Sequence, residues 1–143
     1  MIQRIQSLFL LMASLFFFGE FIFPFFKSSA TKTGFFTDSV YTIQDHPALL
    51  SITIAGGVLC LLTIFLFNNR PLQQKLVYVG LVLSVALFGA AIALGMSDTP
   101  DLFSAASIFI GSFLPIGALL MLALSLRGIS KDDKLVKSMD RLR

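Results

Sequence analysis

Apolar residues gather in four long runs, at about residues 8–26, 49–67, 76–96 and 102–126, with the polar residues between them. Each run approaches the ~20 residues that a helix needs to cross the hydrocarbon core of a bilayer. The pattern predicts an all-α membrane protein of four transmembrane helices in an antiparallel bundle. The spans are placed at about 5–26, 48–68, 73–96 and 100–127, with an outer loop at 27–47. A basic tail, 128–143, follows the last span.

Local chemistry sets the expected boundaries. Asp45 can accept the free amide protons of the second helix's first turn, and Pro47 needs no hydrogen bond there. Asn68 to Lys75 form a tight polar turn that makes the second and third helices antiparallel neighbours, with Pro71 again in a first turn. Thr99, Pro100 and Asp101 make a good start for the fourth helix. Pro115 then falls near the centre of that span, between Gly111 and Gly117, and predicts a kink. In the outer loop, Gly34 to Ile43 is rich in aromatic and β-branched residues. A hairpin turning at Asp38-Ser39 is one reading. An irregular loop with Phe35, Phe36 and Tyr41 on the membrane interface is the preferred one.

Gly56-Gly57 invites close helix contact in the second span. Ala86, Gly89, Ala90 and Ala93 form a small-residue stripe in the third, which predicts a packed seam. In the tail, Gly128 ends the span, and Ser130 with Asp133 resembles a capping box. Leu135, Val136, Met139 and Leu142 recur at helical spacing opposite the charges, so the tail reads as a short amphipathic helix lying on the membrane or docked on a partner.

Composition agrees with lipid as the solvent. The chain has 143 residues, 56% of them hydrophobic, and its mean hydropathy is +0.87. A soluble domain of this size could not bury that much apolar surface. The single cysteine, Cys60, rules out an internal disulfide or CxxC pair. With His46 as the sole histidine, neither a two-histidine haem nor a His/Cys zinc site fits within one chain. No cofactor or metal is expected. Nucleic-acid binding would need a basic face on a soluble module, and none is predicted.

Charge sets the expected orientation. Arg4, Arg70, Lys75, Arg127, Lys131, Lys134, Lys137, Arg141 and Arg143 fall on the side of the termini, whereas Lys27 and Lys32 fall on the other. That asymmetry follows the positive-inside rule and predicts cytoplasmic termini and a cytoplasmic tail helix.

The opening Met1-Ile2-Gln3-Arg4-Ile5-Gln6-Ser7-Leu8, the segment Phe113-Leu114-Pro115-Ile116 and the ending from Arg127 to Arg143 resemble a known family. It is a family of small four-span inner-membrane proteins of Bacteroidetes, catalogued as domain of unknown function four-two-nine-three. The resemblance implies a four-helix membrane fold in a bacterial inner membrane, and it implies no activity.

Candidate chemistry is sparse. Glu20 is the one acid inside an apolar run, and intramembrane carboxylates are functional hypotheses by default. Gln3, Gln6, Ala13, Glu20 and Lys27 share nearly one face of the first helix. At 1.5 Å per residue Glu20 lies about 9 Å from the end of its run, which favours an interfacial group or a partner of Lys27 or Lys32. Pro115 is the second candidate, as a hinge. The tail residues Lys131, Lys134, Leu135, Lys137, Met139, Arg141, Leu142 and Arg143 are candidates for contact with lipid or a partner protein. The leading expectation is a non-enzymatic accessory, assembly or interaction subunit, bound to the bilayer and to other membrane proteins or to itself. The alternative is a small oligomeric proton-coupled secondary transporter using Glu20.

Overall fold

The computed structural model describes residues 2–28, 40–98 and 106–140, and four helices make up most of them. They are α1 (Ile2–Gly19), α2 (Pro47–Phe65), α3 (Arg70–Asp98) and α4 (Leu114–Asp140). Helix α1 packs on α2 and α4, and α3 packs on the same two, so the four close into a ring. The segments Pro47–Phe65, Arg70–Ser97 and Ile110–Val136 are long and apolar enough to cross a membrane, and α1 is a shorter apolar helix. The architecture is an all-α bundle and fits a multi-pass membrane protein.

The buried positions explain how the ring packs. They recur at alternating steps of three and four: Gln6, Leu10, Ala13, Phe17 and Glu20 on α1 and the residue that follows it; Leu49, Thr53, Gly56, Cys60 and Thr63 on α2. Helix α3 buries Gln73, Val77, Gly80, Ser84, Leu87 and Ala91, and α4 buries Pro115, Ala118, Leu122, Ser125, Ile129 and Asp132. This is the 3.5-residue repeat of helices that stay in contact along their length. Small and polar residues are common in these seams, while Leu8, Phe65, Val82 and Leu120 stand exposed outside. Lipid accepts the apolar exterior, and close backbone approach drives the packing within. Gly56 and Gly57 show it: a Cβ there would lie 2.5 Å from the Phe17 ring and 2.7 Å from the Phe18 ring.

Three short strands cap one end of the ring: β1 (Phe26–Ser28), β2 (Val40–Tyr41) and β3 (Ala106–Ile108). Strand β1 is central and antiparallel to both, with Phe26 opposite Tyr41 and Ile108. Short 3-10 turns follow at Ile43–Asp45 and Ile110–Phe113.

Several details differ from the sequence reading. The first helix stops at Gly19, not near residue 26: from Glu20 the chain tightens into turns with bonds three residues back, and Pro24, which has no N–H and disfavours helix in the residue before it, prevents the helix from resuming. The helix of the fourth span begins at Leu114, so Pro115 sits in a first turn and is no mid-helix kink. A proline is tolerated there because its missing N–H would have no partner in any case. The expected start at Thr99 to Asp101 lies outside the described residues, as do Phe35, Phe36 and the turn at Asp38-Ser39. Tyr41 is buried rather than interfacial, stacked on Phe26 with ring centroids 6.1 Å apart.

His46, not Asp45, caps α2: its Nδ1 accepts from the Ala48 N–H at 3.1 Å. Asp45 instead closes a capping box with Thr42 around the 3-10 turn. Most of the stripe on α3 lies outside the packed seam, since Ala86, Gly89 and Ala93 are exposed and a Cβ at Gly89 would meet nothing within 4 Å, while Ala90 alone of the four is half-buried against the core.

The tail is helical through Asp140, but it continues the fourth span without a break at Gly128. That glycine is a point of close approach instead of a cap, as a Cβ would lie 2.8 Å from Gln6 Cγ. Ser130 is therefore mid-helix and caps nothing. The buried side of the extension carries Ile129 and Asp132, while Leu135, expected on the buried face, is exposed.

Candidate functional site

Two apolar runs break at the same level of the bundle, and each break satisfies the other. Beyond Gly19 the first run closes in tight turns, with Ile22 N–H donating to Gly19 O at 2.9 Å and Phe23 N–H to the same oxygen at 3.1 Å. Pro24 then releases the chain into β1. On the fourth run, Pro115 cannot donate to the carbonyl one turn earlier, so the segment before it is free to pair elsewhere. Phe109 N–H donates to Phe25 O and Gly111 N–H to Pro24 O, both at 3.0 Å. The Ser112 hydroxyl donates to Phe25 O at 2.5 Å. Gly111 is required for this approach, because a Cβ would run into the backbone carbonyls of Phe23 and Pro24. Non-helical backbone within an apolar run is tolerated only where protein satisfies it, and here the two breaks do so mutually.

Glu20 sits at this junction, on the last turn of the α1 seam. It is 1% exposed, so it does not reach the surface of the chain as the interfacial reading expected. Neither carboxyl oxygen has a hydrogen-bond partner among the described residues. Lys27, one expected partner, stands exposed on β1, and Lys32 lies outside the described residues. Buried polar groups nearly always have partners, so an unpartnered carboxyl at a double break is the most anomalous group described. Close by in the fold, Tyr41 donates its hydroxyl to Ala91 O at 3.2 Å and tilts against Phe25. Pro115 follows Leu114, whose side chain a Cβ on Gly19 would meet at 3.3 Å, and its carbonyl accepts from the Ser84 hydroxyl at 2.6 Å.

At the opposite end, the tail candidates divide. Gln6 Nε2 donates to Asp132 Oδ2 at 2.5 Å inside the bundle. Lys131 and Lys134 line a cavity of about 370 Å³ with Tyr78, Leu126, Arg127 and Ser130. Asp133 lines a different cavity, of about 350 Å³, with Phe67, Asn68, Arg70, Pro71 and Val136. The side chains of Lys137 and Met139, and all of Arg141, Leu142 and Arg143, lie outside the described residues. Sequence reasoning missed Tyr78, took Arg127 only as an orienting charge, missed Ser112, and took Gly111 only as a neighbour of the Pro115 kink. The paired losses of N–H at Pro24 and Pro115 were the available signal for the last two.

Among the described residues no group of three His, Cys, Asp or Glu side chains could hold a metal ion. Residues 2–142 match the family described as Domain of unknown function (DUF4293), and the chain belongs to it. No curated protein and no solved structure matches.

Proposed function

We propose that this member of the family is a non-enzymatic subunit of the bacterial inner membrane that packs against other membrane proteins, with both termini in the cytoplasm. The observation that supports this reading is the extension of α4. Its 27 residues measure about 40 Å, against about 30 Å for the hydrocarbon core. On this reading the excess continues beyond the membrane as helix, with Ile129 buried and Asp132 bonded to Gln6 at its base. It presents Leu135, 48% exposed, beside the exposed Ser138. The nine-to-two division of basic residues supports a cytoplasmic position for that surface. The test is purification of the full chain in mild detergent alongside Leu135→Glu. A stoichiometric protein retained by the wild type and lost from the variant is expected. Identical, partner-free preparations would overturn the reading.

A second reading rests on Glu20. Intramembrane acids mark ion pathways, broken helices line the ion sites of secondary transporters, and Glu20 combines the two features. In that case the protein acts as a small oligomeric transporter, and it binds a proton or cation in a pH-dependent way that Glu20→Gln abolishes. Binding unchanged in that variant would remove this reading.

A further inference from the structure

The tail's charges look mixed in sequence, with Asp132 and Asp133 between Lys131 and Lys134. The fold separates them. Asp132 turns into the bundle to Gln6, and Asp133 lies toward Arg70. What remains on the third face carries no acid: Arg127, Lys131 and Lys134, with Ser130, Tyr78 and the apolar Leu126, surround the cavity of about 370 Å³. Residues 127, 131 and 134 fall at helical spacing, so one side of α4 supplies all three cations, and α3 supplies the Tyr78 wall.

A second observation says what fits there. An apolar groove of about 370 Å³ runs along α3, lined by Leu81, Val82, Val85 and Ala86. These positions follow Tyr78 at steps of three and four, so the groove lies on the same face of α3 as the Tyr78 wall of the cavity, further into the apolar part of the span. Tyr78 stands at the join, where an amphipathic ring marks a membrane–water boundary. A cationic cavity above an apolar groove matches a phosphate-bearing headgroup above an acyl chain. A free phosphate would use the cavity and leave the groove unexplained. The larger groove of about 600 Å³ between α2 and α3 is lined by Ser51, Leu76 and apolar residues, with no charged residue among them, so it offers no such discrimination.

We infer that Tyr78, Arg127, Ser130, Lys131 and Lys134 form a binding site for the headgroup of an anionic phospholipid whose acyl chain lies along Leu81 to Ala86. Arginine and lysine pair with the phosphate oxygens, and the hydroxyls of Ser130 and Tyr78 donate to them. Assignment to the cytoplasmic leaflet rests on the orientation proposed above; the site itself does not.

Native mass spectrometry of the full chain in detergent tests it, with dioleoyl phosphatidylglycerol, dioleoyl phosphatidylcholine and inorganic phosphate as probes. Phosphatidylglycerol should bind roughly tenfold more tightly than phosphatidylcholine, and each of Arg127→Gln, Lys131→Gln and Lys134→Gln should weaken it roughly fivefold. Arg70→Gln removes a charge at the same end and should change nothing. Ala86→Trp fills the groove and should weaken both lipids. Lys134→Arg keeps the charge and should keep binding, which separates loss of the site from loss of the fold. An undiminished preference in the Gln variants, or loss of binding in Lys134→Arg, would overturn the site. Displacement of the lipid by an equal concentration of inorganic phosphate would show a free-phosphate site instead. Orientation plays no part in detergent, so a labelling result against cytoplasmic termini would overturn the leaflet assignment alone.

Discussion

Gln6 and Asp132, 126 positions apart, join the first turns of α1 to the extension of α4 through a buried 2.5 Å hydrogen bond. Asp132 is 8% exposed and Gln6 5%, so losing either leaves the other without a partner away from water. A hydrogen bond to a charged group contributes about 1.5–3 kcal/mol. A double-mutant cycle with Gln6→Leu and Asp132→Leu, read by thermal unfolding, should give a coupling near that range. Each single change should also speed amide exchange beyond Ile129. Strictly additive effects would show that the pair does not hold the extension.

Gly111→Ala should be among the most damaging single-methyl additions. The added carbon meets backbone carbonyls, which cannot rotate away as a side chain does. A loss of about 3 kcal/mol is expected, at the upper end for overpacking. Thermal unfolding in detergent checks it, and exchange of the Phe109 and Gly111 amides should rise first.

Two glycines separate packing from propensity. Gly56→Ala drives a methyl into the Phe17 ring and should cost about 1–3 kcal/mol. Gly89→Ala meets open space and should stabilise by about 0.5–1 kcal/mol through helix propensity. Opposite shifts in melting temperature are expected, although both glycines lie mid-helix.

Glu20→Gln keeps the shape of the side chain and removes an ionisable group with no partner among the described residues. The fold should survive with a melting temperature equal to or above that of the wild type. A large loss of stability would mean that the carboxylate is held by an ion or group essential to the fold.

For orientation, Gln44→Cys and Asn68→Cys place exposed thiols at opposite ends of α2. Cys60 is buried and should contribute little background. A membrane-impermeant maleimide applied outside spheroplasts should label position 44 and spare position 68. Labelling at 68 would reverse the topology.

Much of this was legible in the chain. Pro71 in the first turn of α3 and the tight approach at Gly56-Gly57 appear where local rules placed them, because proline geometry and glycine size act within a few residues. The turn expected over Asn68 to Lys75 is shorter, since α3 already begins at Arg70. The face carrying Gln6, Ala13 and Glu20 does turn inward. The small-residue stripe at Ala86 misled because in lipid a small residue costs nothing on either face. Gly128 misled for a related reason: the absence of a Cβ serves a cap and a close approach equally well, and only the position of Gln6 decides between them.

The sequence by itself determined how much of the chain is apolar, where the charges lie and that helices dominate, since these follow from composition and short-range spacing. Tertiary structure decided which face of each helix is buried, where the first and fourth runs stop being helical, and that Glu20 is enclosed. The physical reason is common to all three. A bilayer leaves both faces of a helix apolar, so hydropathy barely distinguishes them. The carbonyls and amides freed near Pro24 and Pro115 find one another only when the two runs lie side by side.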